Sequence, residues 1–283
     1  FISWKQRYVL NQRQKGLYSV VVPIENGNIS HETLLKIASF IEPFGDDTLR
    51  FSMRQNIHLR NIPKDFLGNA FQFIKQLGIN THDPLLPNNI VACTGADTCR
   101  LGICLSKGAA NALRKALITS DLSLDELKDI RINLSGCPNS CGQHSAADLG
   151  FYGRVSRNDR MYPAYQVVAG ARVGADSSRL AESVGEINAR DLPRMTVDLL
   201  KLYLTKKTKY KDFSIYYLHE GKQDIAALTK KYSAIPPFSE DKNYYFDWGS
   251  DSIFSLASKG VGECSAGLFD MIDVDLNTLN TSK

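Results

Sequence analysis

The stretch INLSGCPNSCGQHSAADLGFYG, residues 132–153, places two of the chain's six cysteines in one tight corner. An apolar, strand-like start runs into a segment rich in glycine, proline and asparagine, and a second apolar segment follows. Glycine, proline and asparagine are typical of turns. The stretch therefore predicts a strand, a turn that carries Cys137 and Cys141, and another strand.

The bulk properties of the chain limit the classes of protein to which it can belong. Its 283 residues are enough for one large domain or two ordinary ones. The net charge of +4 does not indicate nucleic-acid binding, but it is compatible with a small anionic ligand. No apolar run reaches the roughly 18 residues that a membrane span needs, and no signal peptide is visible, so we expect a cytoplasmic protein.

The pattern before residue 88 predicts a ferredoxin-like half domain. Ser30 is a candidate N-cap for the first helix, and Pro63 and Gly78 are expected to bound the second. A further strand near residue 80 is expected to close the sheet. The predicted order is a strand at 18–24, a helix at 30–45, strands at 49–53 and 56–62, and a helix at 63–78.

Beyond a boundary near residue 88, the pattern predicts a larger domain over 89–235 that mixes helices and strands, so that the whole chain is of the α+β class. The tail over 236–283 has a mixed composition that predicts no regular structure or role. The predicted elements are a helix at 106–120, strands at 131–135, 149–155 and 165–174, and helices at about 190–206 and 222–232.

Four cysteines form two pairs, Cys93 with Cys99 and Cys137 with Cys141, each in a glycine-containing corner. Four thiolates brought together suit zinc or an iron–sulfur cluster. The wide spacing of the first pair fits zinc knuckles poorly. The alternative is four buried structural cysteines, and a small buried side chain is what we expect of Cys104 and Cys264.

Two segments together resemble the signature of the siroheme-dependent sulfite and nitrite reductases: ACTGADTCRLGICLSKG at 92–108 and the corner at 132–153. The resemblance implies that Cys93, Cys99, Cys137 and Cys141 bind a [4Fe–4S] cluster. It also implies that Cys141 bridges the cluster to the siroheme iron. The segments 12–30, 49–62 and 167–174 extend the resemblance outward, and the tail does not share it.

The resemblance also suggests residues that contact the siroheme. Its carboxylates need cations and amides, so Arg54, Gln55 and Asn56 between two strands, and Gly170 and Arg172 in the glycine-rich segment, are candidates. For each arginine the alternative is a solvated surface charge. Two further candidates, Ser135 and Asn139, could donate hydrogen bonds to cluster sulfurs or macrocycle carboxylates, although Asn139 could equally be a left-handed turn residue.

Two histidines, His58 and His144, could be proton donors, but an ordinary surface or turn histidine is the simpler interpretation. No catalytic residue is assigned. In the family, the side chains that grip the substrate anion come mostly from a first half that this chain is expected to lack.

We therefore expect part of an oxidoreductase that reduces sulfite or nitrite, and that is inactive alone. Its expected partners are the N-terminal half of the same reductase, a ferredoxin or flavoprotein electron donor, and a small anion. The alternatives are a cluster-only electron-transfer module and a zinc-stabilised structural domain. The sequence does not separate sulfite from nitrite.

Overall fold

The computed structural model describes residues 1–174, 177–210 and 212–256. The chain divides into two compact units. The first unit comprises Phe1–Val91 and Leu117–Arg131, and the second comprises Ala92–Ala116 and the described residues from Ile132 onward. The division into functional domains at residues 88 and 235 stays a prediction.

The first unit is built on a four-stranded antiparallel sheet with the order β1-β2-β4-β3. Its strands are β1 (Val9–Asn11), β2 (Leu17–Val22), β3 (Leu49–Phe51) and β4 (Ile57–Pro63). Its helices are α1 (Ile2–Tyr8), α2 (His31–Ile41), α3 (Leu67–Gln76) and α4 (Leu85–Asn88).

Local sequence explains the two longer helices of this unit. Ser30 caps α2, because its Oγ accepts a hydrogen bond from the Thr33 N–H over 3.2 Å. In α3, apolar residues recur at the spacing of one helical face and are buried against the core. These residues are Leu67, Ala70, Phe71 and Ile74.

Two expectations for the first unit are wrong. The sheet is not closed by a strand near residue 80, and its fourth strand is the N-terminal β1, which pairs with β2. The second helix does not begin at Pro63, because that residue is still paired with Leu17 across the sheet. A short 3₁₀ turn over Lys64–Phe66 precedes α3, and Gly78 follows it with a φ of 73°.

The second unit contains a five-stranded mixed sheet with the order β5-β6-β7-β8-β9. The β6–β7 pair is parallel, and the β7–β8 and β8–β9 pairs are antiparallel. The strands are β5 (Val91–Ala92), β6 (Ile132–Ser135), β7 (Leu149–Arg157), β8 (Met161–Ala169) and β9 (Glu182–Asn188).

The helices of the later chain are α5 (Ser106–Ile118), α6 (Leu192–Lys206), α7 (Phe213–Tyr216) and α8 (Lys222–Lys231). A π-helical turn, Tyr217–Gly221, joins α7 to α8. The expected α+β class is confirmed. None of the helices within the described ranges is long and apolar enough to cross a membrane.

The expected strand over 165–174 is partly wrong, because β8 ends at Ala169 and the glycine-rich segment lies beyond it. Sequence reasoning also missed β9, in which exposed and buried residues do not alternate. In the described part of the tail, a 3₁₀ turn spans Lys242–Tyr245, and Phe246 pairs with Ile253. Cys264 lies outside the described residues.

Candidate iron–sulfur and tetrapyrrole site

The two cysteine corners meet at Gly136. β5 and β6 are neighbours in the sheet, and the Cys93 N–H donates to the Leu134 carbonyl over 3.1 Å. The chain leaves β6 at Gly136, whose N–H donates to the Cys93 Sγ over 3.1 Å. Cys93 and Cys137 therefore lie at adjacent strand ends of one sheet.

The segment 93–104, here called the cysteine loop, is folded back on itself. The Cys99 N–H donates to the Gly95 carbonyl, and the Ala96 N–H donates to the Cys104 carbonyl, both over 3.0 Å. The Gly136 carbonyl accepts hydrogen bonds from the N–H groups of Ile103 and Cys104 at 2.8 and 3.0 Å. The loop that holds Cys93 and Cys99 is thus joined to the second corner at both of its ends.

Close packing explains the glycines at this junction. A Cβ on Gly136 would lie 2.6 Å from the Gly95 Cα, and a Cβ on Gly142 would lie 2.0 Å from the Leu134 carbonyl oxygen. Both separations are far shorter than real carbon contacts. Gly136 accepts only glycine because the backbones of the two corners touch there, and Gly142 accepts only glycine because the second corner packs back against β6.

The second corner, here called the cysteine turn and spanning 136–148, is held by a buried polar network. The Ser135 Oγ accepts the Gly142 N–H over 3.1 Å and lies 2.8 Å from the His144 Nδ1. Two residues with left-handed φ, Ser140 at 59° and Gln143 at 58°, allow the tight reversal. Asn139 does not adopt that conformation, and its side chain is exposed.

The thiols of the four paired cysteines are electrostatic neighbours. Burial raises the pKa of Cys137, the Asn139 backbone N–H lowers it, and negative charge on Cys93, Cys99 and Cys141 raises it further. Cys137 is buried, Cys93 and Cys99 are half-buried, and Cys141 is exposed. Four thiolates at this corner would repel one another unless a cationic core lay among them.

The chemistry of these residues fits an iron–sulfur cluster. Within the part of the chain that the structure describes, no three His, Cys, Asp or Glu side chains are close enough to hold one metal ion. A tetrahedral zinc site needs four ligands at about 2.3 Å from the metal, whereas a cubane spreads its ligand sulfurs over several irons. Backbone N–H groups directed at the Cys93 and Cys137 sulfurs are also a feature that tunes such clusters.

Cys104 has a different environment from the paired cysteines. Its side chain is completely buried, and its Sγ lies 3.5 Å from the carbonyl oxygens of Arg154 and Ala164. A Cβ on Gly153 would contact its Cβ at 2.9 Å. The expectation of a small buried side chain at Cys104 is confirmed.

The candidate cofactor residues of the first unit follow β3. Asn56 is almost fully buried: its Oδ1 accepts the Ile24 N–H over 2.9 Å, and its Nδ2 donates to the Asn89 Oδ1 over 3.0 Å. Gln55 has a left-handed φ of 58°, and Arg54 is half-buried. Asn56 therefore has a clear structural role, and cofactor contacts by all three residues stay a prediction.

The candidates of the glycine-rich segment lie beyond β8 in the second unit. Gly170 has a φ of 84°, and a Cβ there would lie 2.0 Å from the Tyr217 ring. The Arg179 guanidinium donates to the Gly170 carbonyl through Nη2 and Nε, at 2.6 and 3.0 Å. The Arg172 side chain is exposed. Packing alone explains Gly170, and cofactor contacts by Gly170 and Arg172 stay a prediction.

Two residues that support the site were missed or misread in the sequence. The Ser106 Oγ donates to the Cys93 carbonyl over 2.8 Å, and nothing in a helix-start serine reveals that partner. His144 is a turn residue, which was one of its two expected interpretations, but it is not on the surface: it is 5% exposed, and burial lowers its pKa to about 4. Its place four residues after a GCPNS turn was the available signal. Burial also lowers the pKa of His58, which lies 3.5 Å from the Ser19 hydroxyl.

Two family models match the chain. The model described as the nitrite/sulfite reductase ferredoxin-like half domain matches residues 10–77. The model described as the nitrite and sulphite reductase 4Fe-4S domain matches residues 87–219. The second match contains all four paired cysteines.

Curated relatives include the ferredoxin–nitrite reductase of Synechococcus elongatus, which is 28% identical over 70% of this chain and 39% of its own length. The chloroplastic ferredoxin–nitrite reductase of Zea mays is also 28% identical, over 70% of this chain and 35% of its own length. Sulfite reductase [ferredoxin] 2 of Mycolicibacterium paratuberculosis is 32% identical over 59% of this chain and 31% of its own length. The chain thus spans between three and four tenths of the length of these relatives.

Solved structures share the fold. The NirA protein of Mycobacterium tuberculosis superimposes with a TM-score of 0.67 at 22% identity, over 77% of this chain and 41% of that one. Dissimilatory sulfite reductase I superimposes with a TM-score of 0.58 at 10% identity, over 78% of this chain and 70% of that one.

Proposed function

The chain belongs to the siroheme nitrite/sulfite reductase family, and from that premise we propose that it forms the cluster- and siroheme-binding part of a reductase for nitrite or sulfite. The observation that carries the proposal is the junction at Gly136. There the cysteine loop and the cysteine turn are hydrogen-bonded together with their four thiols as electrostatic neighbours.

In this proposal Cys93, Cys99, Cys137 and Cys141 hold a [4Fe–4S] cluster. The Gly136 and Asn139 N–H groups stabilise charge on the sulfurs of Cys93 and Cys137. Cys141 is the exposed thiol of the four, which suits a sulfur that must also reach a second metal centre. The buried Ser135 and His144 hold the turn, and hydrogen bonds from Ser135 and Asn139 to cluster sulfurs or macrocycle carboxylates are part of the proposal.

The proposal includes siroheme, which supplies the multi-electron reduction of a bound anion when it is present. Arg54, Gln55, Asn56, Gly170 and Arg172 are the proposed contacts, with the arginines pairing with macrocycle carboxylates. Asn56 is almost fully buried, and its side-chain amide already forms hydrogen bonds with Ile24, Asn88 and Asn89. Arg54 and Arg172 are therefore the stronger candidates.

The proposed electron donor is a ferredoxin, because the names of several relatives specify it. Catalysis is proposed to need residues supplied by a further segment or partner chain, since this chain matches only part of its relatives' length. We propose a compartment that keeps thiols reduced, such as the cytoplasm, because the cluster ligands must remain free of disulfides.

Anaerobic reconstitution of the 283-residue chain with iron, sulfide and siroheme tests this function. The expected result is about four irons and four sulfides per chain, together with the absorption bands of bound siroheme. One zinc per chain with no iron would contradict the proposal. Iron and sulfide without siroheme bands would favour the alternative of a cluster-only electron-transfer module.

The variants Arg54→Ala and Arg172→Ala distinguish binding of siroheme from binding of the cluster. Each is expected to weaken siroheme binding about tenfold, the effect of one charge-assisted hydrogen bond, while the iron content stays unchanged. Arg13→Ala, an exposed arginine outside the candidate set, is the matched control.

A further inference from the structure

The described part of the tail forms a hairpin over Tyr245–Phe254, here called the C-terminal hairpin. Phe246 and Ile253 form an antiparallel bridge, and the Phe254 N–H donates to the Tyr245 carbonyl over 2.8 Å. The hairpin follows residue 219, where the match to the 4Fe-4S domain model ends. The sequence alone predicted no role for this hairpin.

Asp247 connects this hairpin to the cysteine loop. Its Oδ2 accepts the Leu105 N–H over 2.7 Å, and its Oδ1 accepts the Trp248 N–H over 2.8 Å. Leu105 is the first residue after Cys104, which ends the cysteine loop. The carboxylate, only 6% exposed, therefore binds the backbone where that loop turns into α5.

Trp248 fixes the hairpin in this position. Its Nε1 donates to the Ala189 carbonyl over 2.6 Å, and the Arg190 guanidinium lies 4.6 Å from its ring centre. A Cβ on Gly108, in the first turn of α5, would lie 1.9 Å from the Trp248 carbonyl oxygen. The hairpin is thus seated directly on the start of the helix that follows the cysteine loop.

A cavity of about 270 Å³ lies between the cysteine loop and the hairpin. Ala96, Ile103 and Leu105 form one side, Ile253 and Phe254 lie on the other, and Asp247 contributes the charge in the lining. Burial raises the pKa of Asp247 to about 6, while the N–H groups of Leu105 and Trp248 lower it. The group is therefore ionised at pH 8 and places a fixed negative charge behind the loop.

We propose that Asp247 is a positioning residue for the iron–sulfur cluster. It holds the cysteine loop through the Leu105 amide and sets a fixed negative charge on the side of the loop that faces the hairpin. Such a charge disfavours addition of an electron to a nearby cluster, so it lowers the reduction potential. This inference rests on the proposed function, because it presupposes a cluster at Cys93 and Cys99.

The test compares the full chain with Asp247→Asn after anaerobic reconstitution at pH 8. The two N–H groups bind different carboxylate oxygens, and in the amide an uncharged NH2 donor replaces one of those oxygens, so one N–H loses its acceptor. We expect iron release to a ferrous chelator to become about tenfold faster, since hydrogen bonds to charged groups have about that effect. We also expect the reduction potential, followed by electron paramagnetic resonance, to become more positive.

Asp251→Asn is the matched control, because it removes the same charge from an exposed position of the same hairpin. Its iron-release rate should stay within about twofold of the wild type, since exposed charges contribute little. Unchanged release and potential in Asp247→Asn would overturn the inference. Faster release with an unchanged potential would assign Asp247 a purely structural role and would overturn it as well.

If Asp247→Asn does not fold, Trp248→Phe provides the test. This variant removes the bond to the Ala189 carbonyl and keeps Asp247, and we expect about threefold faster iron release. An iron-release rate equal to that of the wild type would show that the position of the hairpin does not hold the cysteine loop, and it would overturn the inference. A wild-type chain that takes up no iron and sulfide would instead refute the proposed function, so the two failures are distinguishable.

Discussion

The Gly136 N–H donates to the Cys93 Sγ over 3.1 Å, so the backbone of one cysteine corner binds the side chain of the other. This single bond joins residues that are 43 positions apart along the chain. The acceptor in this bond is the sulfur of a proposed cluster ligand, and hydrogen bonds to such sulfurs help to set the reduction potential of a cluster. The contact therefore both joins the two corners and binds a proposed cluster ligand.

Cys137→Ser is predicted to lose bound iron, whereas Cys104→Ala is predicted to keep it. Cys137 interacts electrostatically with the other three paired cysteines, while Cys104 faces the carbonyls of Arg154 and Ala164. We expect cluster affinity to fall by more than about tenfold in the first variant only. Iron and sulfide analysis after reconstitution measures this. Equal iron loss in both variants would show that the proposed ligand set is wrong.

Gly136→Ala is predicted to destabilise the cluster-free protein by about 2 kcal/mol. The added Cβ would lie 2.6 Å from the Gly95 Cα and 2.8 Å from the Cys104 carbonyl oxygen, so backbone must move. The control is Gly68→Ala in α3, where a Cβ meets nothing within 4 Å. That variant should gain about 0.5–1 kcal/mol, because alanine favours helix. Urea unfolding measures both changes, and a neutral Gly136→Ala would contradict the packing described here.

His144 is predicted to make stability fall as the pH drops from 6.5 towards 4. Burial lowers the pKa of folded His144 to about 4, whereas the unfolded value is about 6.5. Within this window the unfolded chain binds the proton first, so acid favours unfolding; above pH 6.5 both states are neutral. The loss is on the order of 2 kcal/mol.

The measurement is the difference in unfolding free energy between the wild type and His144→Gln at several pH values. Because burial raises the pKa of Asp247 to about 6, its contribution to stability increases as the pH falls over part of this range. Both proteins contain Asp247, so its contribution cancels when one unfolding free energy is subtracted from the other. The difference should shrink as the pH falls from 6.5 to 4. His82→Gln, which changes an exposed histidine, is the control. A constant difference would show that His144 is not held neutral by burial.

Asn56→Ala is predicted to destabilise the first unit by about 2–3 kcal/mol. The substitution leaves the Ile24 N–H without its acceptor and removes the donor to Asn89. Asn69→Ala, an exposed change in α3, should lie within about 0.5 kcal/mol of the wild type. Thermal unfolding measures both. Full stability in Asn56→Ala, with siroheme binding lost, would assign Asn56 to the cofactor instead.

Elements with a strong local signal were predictable from the sequence. The Ser30 cap of α2, the apolar face of α3 and the glycine-rich turn after β6 each specify their structure within a few residues. β1 and β9 lack such a signal, because β1 has only three residues and exposed and buried residues do not alternate along β9. Their places in the sheets depend on partners distant in the sequence, which local patterns do not encode.

In the candidate site, too, some features could be predicted from the sequence and others could not. The cysteine pairs and their glycines were visible in the sequence, because thiols in glycine-rich corners are uncommon outside metal sites. The supporting bonds were not visible: Asp247 reaches Leu105 from 142 residues away, and Ser106 looks like an ordinary helix start. Asn56 illustrates the opposite error. The sequence suggested a cofactor contact, but the side chain already forms hydrogen bonds with three protein groups.

The parallel pairing of β6 with β7 has a consequence for how this protein can evolve. Parallel neighbours need a long return connection, which is most often a helix, and here residues 136–148 make that return as the cysteine turn. An insertion or deletion there would disturb strand register and thiol spacing together. Selection on folding and selection on redox chemistry therefore act on the same few positions. Sequence drift is expected to accumulate elsewhere, at exposed surface positions.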